Sequence, residues 1–500
     1  MLRRALSTAL ITAAVGFTAP ARLSAQFSPA EYARRRAALV AQLPDGVVLA
    51  LGGREPAQDY LSFYQQPDFN YLTGFLEPDA TLVMVKHADS VSCNLFVQPH
   101  DAAREMWTGI RLGVDAVQGR TGMTGRDAGD LRAVVDSLAE RHLPFFVVGD
   151  FPDDDIGTRL GELTPDQQFV MRLRQRHPKL EVRAVDGVVA QLRARKSAAE
   201  AAMIRKAAEI TAAAEREAMT AMEPGMNEFE LQALIEYTFR RDGADRPSFA
   251  TIIGSGPDAT TLHYNTNDRF IGANDLVVMD VGASYHGYAA DVTRSIPASG
   301  VYSAEQRSIY QIVRDAQAAA ERQASLGAAA HLMSDSATNV LAQGLARLGL
   351  IDAPRASYDC AAGTRLGRCP QYTLYYMHGL GHGIGLEVHD PEQYYYTQRI
   401  AQGSAFTIEP GIYVRADVLE TLPDTPANRA LVARLRPAVE KYRDIGVRIE
   451  DDYLATSSGV EWISRAPREM SEIEALMKMP WTGPAKRDSA LVESYRSATP

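Results

Sequence analysis

The sequence predicts an α/β protein of two packed domains, divided between about residues 188 and 197. Three observations lead there. At 500 residues, with 46% apolar and 23% charged side chains, the chain exceeds what one hydrophobic core usually serves. Residues 27–190 alternate short β-rich runs (GVVLAL, TLVMVK, NLFVQP, PFFVVGD) with helical patterns such as DLRAVVDSLAERH. Near residue 190 the texture changes to LRARKSAAEAAMIRKAAEITAAAEREAM, a long amphipathic helix opened by Ser197 with Glu200 three residues on and closed before Glu223-Pro224-Gly225. No low-complexity linker separates the halves, so direct packing of one on the other is expected.

The first 25 residues stand apart. Arg3 and Arg4 precede an apolar run from Ala5 to Phe17, and Leu23-Ser24-Ala25 offers small residues before Gln26. This is the pattern of an export signal, giving a periplasmic or secreted mature protein; a short amphipathic first helix is the other reading. The run is too short to span a bilayer and nothing later is apolar enough, so no transmembrane anchor is expected. Removing the segment deletes Arg3, Arg4 and Arg22 and no acid, leaving a chain more acidic than the whole sequence's net charge of -10. With no basic cluster, nucleic acid is excluded as a partner. Three cysteines are too few for a disulfide scaffold and lack the CxxC spacing of a thiolate zinc site. In an oxidising compartment Cys360 and Cys369 can close the loop DCAAGTRLGRC, while Cys93, in VSCNLFV, reads as a buried free thiol.

The second domain is expected over residues 195–480. Asn227 with Glu230, and Ser303 with Gln306, repeat the capping signal and open further helices. Between them FATIIGSG, DLVVMDVG and YAADVTRS read as apolar strands. The polar stretch 481–500 is expected to fray. There is no strict repeat, although LVVMDVG and AFTIEPG are both apolar strands ending in carboxylate-x-Gly.

A strand that is apolar on both faces does not bury an acid without a cation, a proton or a hydrogen-bond network, since an isolated carboxylate in low dielectric is costly. Asp280 in VVMDVG and Glu409 in FTIEPG break that expectation. Asp280 and Asp291, with Gly282 and Gly287 between them, read as a hairpin whose tight turn at Tyr285-His286 sets the two acids directly opposite on one face. Like charges so placed repel, and divalent cations between them reverse the sign. Glu450, in VRIEDDY, ends another β-pattern, with Arg448 on the same face two residues earlier.

The stretch HGLGHGIGLEVHD adds His378, His382 and His389. Its glycines at 379, 381, 383 and 385 match neither phosphate-loop spacing. His378 and His382 are spaced as in a helical zinc motif, but Gly379 stands where that motif has Glu, and so many glycines disfavour a helix. Alternate glycines instead let the backbone pack closely and gather histidines around one centre. No GxSxG supports a serine hydrolase. Four carboxylates and one imidazole suit two divalent ions, Mn²⁺ ahead of Zn²⁺ or Co²⁺, and the chemistry of such a pair is hydrolysis by a shared, acidified water. Each member alone has a plainer reading: Asp280 or Asp291 as a turn or capping acid, Glu409 as a turn residue, Glu450 with Asp451 and Asp452 as a solvated edge, any one histidine as a satisfied polar side chain.

Taken together, MDVGASYHGYAADVTRS, HGLGHGIGLEVHD, FTIEPGIY and GVRIED resemble the metal-site motifs of the pita-bread metallopeptidases, in their aminopeptidase P and prolidase branch. FYQQPDFNYLTGFLEPDATLVMV and REMWTGIRLGVDAV resemble the amino-terminal domain of aminopeptidase P, which methionine aminopeptidases lack. The resemblance implies an aminopeptidase P-like α/β domain before an α+β pita-bread catalytic domain. It implies that Asp280 binds one metal, that Asp291 and Glu450 bridge both, and that His382 and Glu409 complete the other. By the same resemblance His263, in TLHYNTN, and His389 bind substrate or stabilise the tetrahedral intermediate, and Glu409 also serves as general base. His378 lines the site, Arg448 orients carboxylates or substrate, and Trp107 closes a neighbouring subunit's pocket in a homo-oligomer, dimer or tetramer. The implied activity is that of an exported dinuclear-metal Xaa-Pro aminopeptidase acting on peptides with proline second. The alternatives are an Xaa-Pro dipeptidase (prolidase) and a non-catalytic binding protein of the same fold. The long insert between Glu409 and Glu450 looks more like prolidase. The YYYT stretch, where relatives carry an arginine, with Arg399 the nearest here, points away from a dipeptidase.

Overall fold

The computed structural model describes residues 27–58, 60–151, 163–360, 367–485 and 490. The export signal read at 1–25 lies outside them, as does most of the stretch 481–500; within the latter, Ala485 N donates to Glu217 Oε1 at 2.7 Å, so this part is tied down.

The β-rich runs of the first half become one mixed six-stranded sheet. Its order is Thr124–Asp127, Ser90–Val97, Thr81–His87, Gly46–Leu51, Phe145–Val148 and Val182–Ala184. Gly46–Leu51 is buried along its whole length. Alternate residues of that strand serve two cores. Val47 and Leu49 pack with Val135 and Leu173 of the helices on one face. Val48 and Ala50 pack on the other with Tyr32, Phe69 and, from the second half, Ile204, Ala208, Tyr288 and Ile384. A fully buried Val, Leu, Ile or Phe among them stabilises by roughly 1.5–3 kcal/mol, and this second cluster joins the two halves of the chain. Cys93, on the strand next to the sheet edge, is a free thiol but half-buried, less enclosed than its apolar surroundings suggest.

All three capping boxes form, at Ser197, Asn227 and Ser303, and open the helices Ala198–Ala221, Glu228–Arg241 and Ala304–Glu321. These helices and His331–Arg347 enclose the largest core, against antiparallel strands. One sheet is ordered Val292–Pro297, Leu276–Val281, Ile252–Ser255; another is ordered Ala405–Ile408, Asp451–Thr456, Gly459–Trp462. The two strands of the carboxylate-x-Gly echo each sit in one of these sheets. The insert after Glu409 is not a loose excursion. It leaves along Gly411–Val414, forms the helix Pro426–Tyr442, buries Leu431, Leu435 and Val439 in the main core, and returns along Ile445–Arg448 with Gly411 paired to Arg448. The short hairpin Ser357–Asp359 and Arg368–Pro370 rests on that helix through Asn428 and carries the Cys360–Cys369 disulfide beside it. Among the described residues no helix is long and apolar enough to cross a membrane.

Candidate metal centre and substrate cavity

Two hairpins and the glycine-rich stretch converge on one cavity of about 590 Å³. The first hairpin is the expected one, but its turn falls at His286-Gly287 and not at Tyr285-His286. Both turn residues hold positive φ, 50° and 80°, and Tyr285 pairs with Tyr288. A two-residue turn with φ positive at both positions favours glycine at the second, and only the later placement supplies it. Asp280 is therefore opposite Thr293, not opposite Asp291. A shift of the pairing by two residues keeps the side-chain alternation, so both acids still face the cavity.

Glu409 follows the strand Ala405–Ile408, and Glu450 lies between Ile445–Arg448 and Asp451–Thr456. Glu450 N donates to Thr293 O at 3.1 Å, which locks this segment to the first hairpin. The glycine-rich stretch holds no helix. It runs along the strand before Glu409, with Thr407 N donating to His382 O (2.9 Å) and Glu409 N to Leu380 O (2.8 Å). Backbone pairing thus places His382 beside Glu409, with Nε2 to Oε1 at 3.4 Å.

The tautomer of His382 follows from its neighbours. Its Nδ1 stands 3.0 Å from the Gly383 carbonyl, which accepts only, so Nδ1 carries the hydrogen. Nε2 is left with a lone pair facing Asp291 Oδ2 at 3.5 Å. Asp291, His382 and Glu450 each offer one ligand atom, all within 4.8 Å of one another. Asp280 Oδ1, Asp291 Oδ1 and Glu450 Oε1 are buried without a hydrogen-bond partner. Such oxygens are expensive to bury unless a cation or proton reaches them, and three of them beside a neutral imidazole fit a divalent metal. Three other oxygens are held: Glu450 Oε2 accepts from Thr293 Oγ1 at 2.7 Å, Asp280 Oδ2 accepts from Arg448, and Glu409 Oε1 accepts from Thr407 Oγ1 at 3.3 Å.

The electrostatics agree. Burial, reinforced by Glu450, Asp280 and Glu409, pushes the Asp291 carboxyl well above the carboxylate range. Burial with Glu409 and Asp280 does the same to Glu450. Glu409 is pushed up to about 7 by burial, opposed by Arg448. Burial brings His378 and His382 down to about 3. Both imidazoles are then neutral near pH 7, as the candidate ligand His382 must be.

His263, Asp280, Asp291, His378, His382, His389, Glu409, Arg448 and Glu450 all line this cavity, together with the apolar Phe249, Ile252, Leu262 and Val388. The rings of His382 and His389 lie 4.1 Å apart between centroids. Asp451 and Asp452 are not a solvated edge. Both are fully buried, Asp451 against Arg294 at 2.7 Å and Asp452 accepting from Asp291 N at 3.2 Å. Trp107 lies away from the cavity and is exposed, beside exposed Met106 and Ile110. Arg399 is exposed and spent on the Gly327 carbonyl at 2.9 Å. A cavity of about 660 Å³ in the first domain, beside Val147 and Val170, is lined by no acid or histidine.

Two side chains of the site were missed in the sequence. Thr293, two residues after Asp291 and so on the same strand face, steadies Glu450; the period of two in ADVTRS was the available signal. Tyr413 bridges Arg448 and His378, and nothing in EPGIYV marks it.

Residues 202–457 match the family model described as Metallopeptidase family M24, and residues 32–143 that described as Aminopeptidase P, N-terminal domain. The Xaa-Pro aminopeptidase of Escherichia coli strain K12 is 33% identical over 471 residues, spanning 90% of this chain and 98% of its own length. A human Xaa-Pro dipeptidase is 27% identical over 471 residues, spanning 88% of this chain and 91% of its own. The solved structure of the Pseudomonas aeruginosa aminopeptidase PepP superposes with a TM-score of 0.75 at 31% identity, covering 91% of this chain and 98% of that one. By family model, relatives and fold alike, the chain belongs to metallopeptidase family M24, with the two-domain architecture of aminopeptidase P.

Proposed function

We propose that this protein is an exported, dinuclear-metal Xaa-Pro aminopeptidase, cleaving the bond between an N-terminal residue and a following proline. The observation that carries the reading is the convergence of five potential ligands, three with an unpartnered buried oxygen, on a cavity that also has an apolar wall. Asp280, Asp291, His382, Glu409 and Glu450 would hold two divalent ions, Mn²⁺ in preference to Zn²⁺ or Co²⁺, which would supply an acidified water and polarise the carbonyl. Glu409, titrating close to neutrality beside His382, is suited to take the proton of the attacking water and pass it to the leaving proline nitrogen. His263 and His389 face the cavity and can donate to the oxyanion that forms on the scissile carbonyl. His378 has its Nδ1–H on the Gly379 carbonyl and its Nε2 on Tyr413, so it braces the wall. Phe249, Ile252 and Leu262 offer an apolar face to the proline ring.

A dipeptidase needs a cation for the substrate's own carboxylate. Arg448 is the only arginine or lysine among the described residues lining the cavity, and it already donates to Thr293, Tyr413, Asp280 and the Leu262 carbonyl. This favours the aminopeptidase over the prolidase reading. Export is supported by the leader pattern and by the Cys360–Cys369 disulfide, a bond that persists in oxidising compartments. A homo-oligomer, dimer or tetramer, is supported by exposed Met106, Trp107 and Ile110 on one segment. The test is to supply Mn²⁺ to the mature protein and compare Ala-Pro-Ala with Ala-Pro. Cleavage of the tripeptide is expected; cleavage of the dipeptide alone would overturn the assignment in favour of prolidase, and cleavage of neither in favour of a binding protein.

A further inference from the structure

The cavity-lining His389 is half-exposed, and among the described residues its one ion-pair contact is Glu392, 4.0 Å away. What fixes its place lies beneath it. Asp390, the next residue, is buried, and its carboxylate is gripped from the other domain boundary. Arg193 ends the helix Asp186–Arg193, with its side chain 5% exposed. Its guanidinium reaches in three directions: Nη1 to Asp68 Oδ1 of the first domain (2.5 Å), Nη2 to Glu387 Oε2 (2.7 Å) and Nη2 to Asp390 Oδ2 (3.0 Å). Lys196 Nζ donates to the Asp390 carbonyl at 2.6 Å. The loop is closed on itself above this grip, with Asp390 N donating to Gly383 O (2.7 Å) and Gly383 N to Pro391 O (2.9 Å). His382 and His389 flank that closed loop, their rings 4.1 Å apart.

We propose that Arg193 is a positioning residue for the reaction: by holding Asp390 and Glu387 to Asp68 it fixes His389 beside His382 in the cavity, and it makes the packing of the two domains a condition of a competent site. The inference rests on the aminopeptidase reading. A planar guanidinium serves three carboxylates in a way no other side chain can, because its donors are fixed in direction. Among the described residues His389 has no comparable anchor of its own, so loosening the grip moves the ring that must meet the oxyanion, while the carboxylate ligands, which stand in or beside strands outside this loop, stay in place.

The experiment is a double-mutant cycle on the full-length mature, metal-loaded protein: wild type, R193M, H389A and R193M with H389A, each assayed for kcat and KM on Ala-Pro-Ala and for bound Mn²⁺. In the His389 background R193M is expected to lower kcat by about tenfold or more, as losses of supporting partners do, with metal content unchanged. In the H389A background it should cost little, because the ring it positions is gone. R193K, which keeps charge but loses the fork, should recover only part of kcat. Equal losses in both backgrounds would mark a merely structural role and overturn the proposal, as would full activity of R193M. Should R193M fail to fold, Asp68→Asn, which cuts the link to the first domain alone, carries the same cycle with the same outcomes. Wild type that cleaves no Xaa-Pro peptide overturns the functional reading, and this inference falls with it.

Discussion

The Tyr413 hydroxyl and His378 Nε2 lie 2.9 Å apart, and the hydrogen between them belongs to the tyrosine. His378 Nδ1 faces a carbonyl, that of Gly379, at 2.7 Å, so Nε2 is the acceptor. Tyr413 in turn accepts from Arg448 Nη1 at 2.8 Å. A directed chain of hydrogen bonds therefore joins the guanidinium that contacts Asp280 to the histidine that walls the cavity.

Tyr413→Phe removes that chain without removing volume. It leaves Arg448 Nη1 and His378 Nε2 buried with one partner fewer. A stability loss of about 1–3 kcal/mol is expected from such orphaned groups, read as a lower urea midpoint with unchanged m-value. Activity should fall through a less well-held Arg448 while metal stoichiometry stays as in the wild type. An unchanged midpoint would show that the hydroxyl is dispensable to the site.

Asp291→Asn tests the metal centre. The carboxyl is buried among Glu450, Asp280 and Glu409 and held protonated in the metal-free protein, so the neutral amide replaces a neutral group and should leave the metal-free melting temperature close to that of the wild type. Mn²⁺ binding by calorimetry and peptide hydrolysis should both be lost. Full activity in this variant would remove Asp291 from the site.

The course of the chain explains which of these features were readable beforehand. Strands such as GVVLAL and the capping boxes at Ser197, Asn227 and Ser303 are decided by neighbours in sequence, and they form where the local pattern puts them. The acids of the site were legible for a different reason: a carboxylate in an apolar strand demands a partner wherever the strand goes. The hairpin turn was misplaced by one residue because both Tyr285-His286 and His286-Gly287 satisfy the alternation, and only the left-handed backbone at Gly287 decides between them. Arg193 and Tyr413 escaped because their meaning depends on contacts far along the chain, with Asp390 and with Arg448. The buried Asp451 and Asp452 looked like surface for the same reason, since their partners, the Arg294 side chain and the Asp291 backbone N–H, lie far back along the chain.

The glycines of HGLGHGIGLEVHD are predicted to be unequal. A Cβ on Gly385 would lie 2.2 Å from Asp390 Oδ2 and 2.9 Å from Lys196 Cε, whereas a Cβ on Gly379 would meet nothing within 4 Å. Gly385→Ala must push Asp390 out of the grip of Arg193 and Lys196, at a cost of about 1–3 kcal/mol, with loss of activity. Gly379→Ala should stay within about 0.5 kcal/mol of wild type and keep its hydrolysis rate. Thermal unfolding and peptide assays on the pair decide the matter; equal tolerance at both positions would mean that the loop does not need the close approach seen at Gly385.

Stability should depend on pH in opposite ways with and without metal. In the metal-free protein Glu409 titrates at about 7, and Asp291 and Glu450 well above the carboxylate range, all raised by burial. Between the ordinary carboxylate pKa and these raised values the native state holds protons that the unfolded chain has released. Stability must then fall as pH rises through that window, because the derivative of unfolding free energy with pH follows protons bound in the unfolded state minus those in the native state. Divalent ions displace the same protons, so their stabilising effect grows with pH. Melting temperatures in EDTA are therefore expected to decline from about pH 5 to about pH 8 while the increment produced by Mn²⁺ widens over the same range. Asp291→Asn combined with Glu450→Gln removes two of the titrating groups and should flatten the metal-free curve, with no Mn²⁺ increment at any pH. A metal-free wild type whose melting temperature rises across this window would contradict the protonated-cluster picture directly.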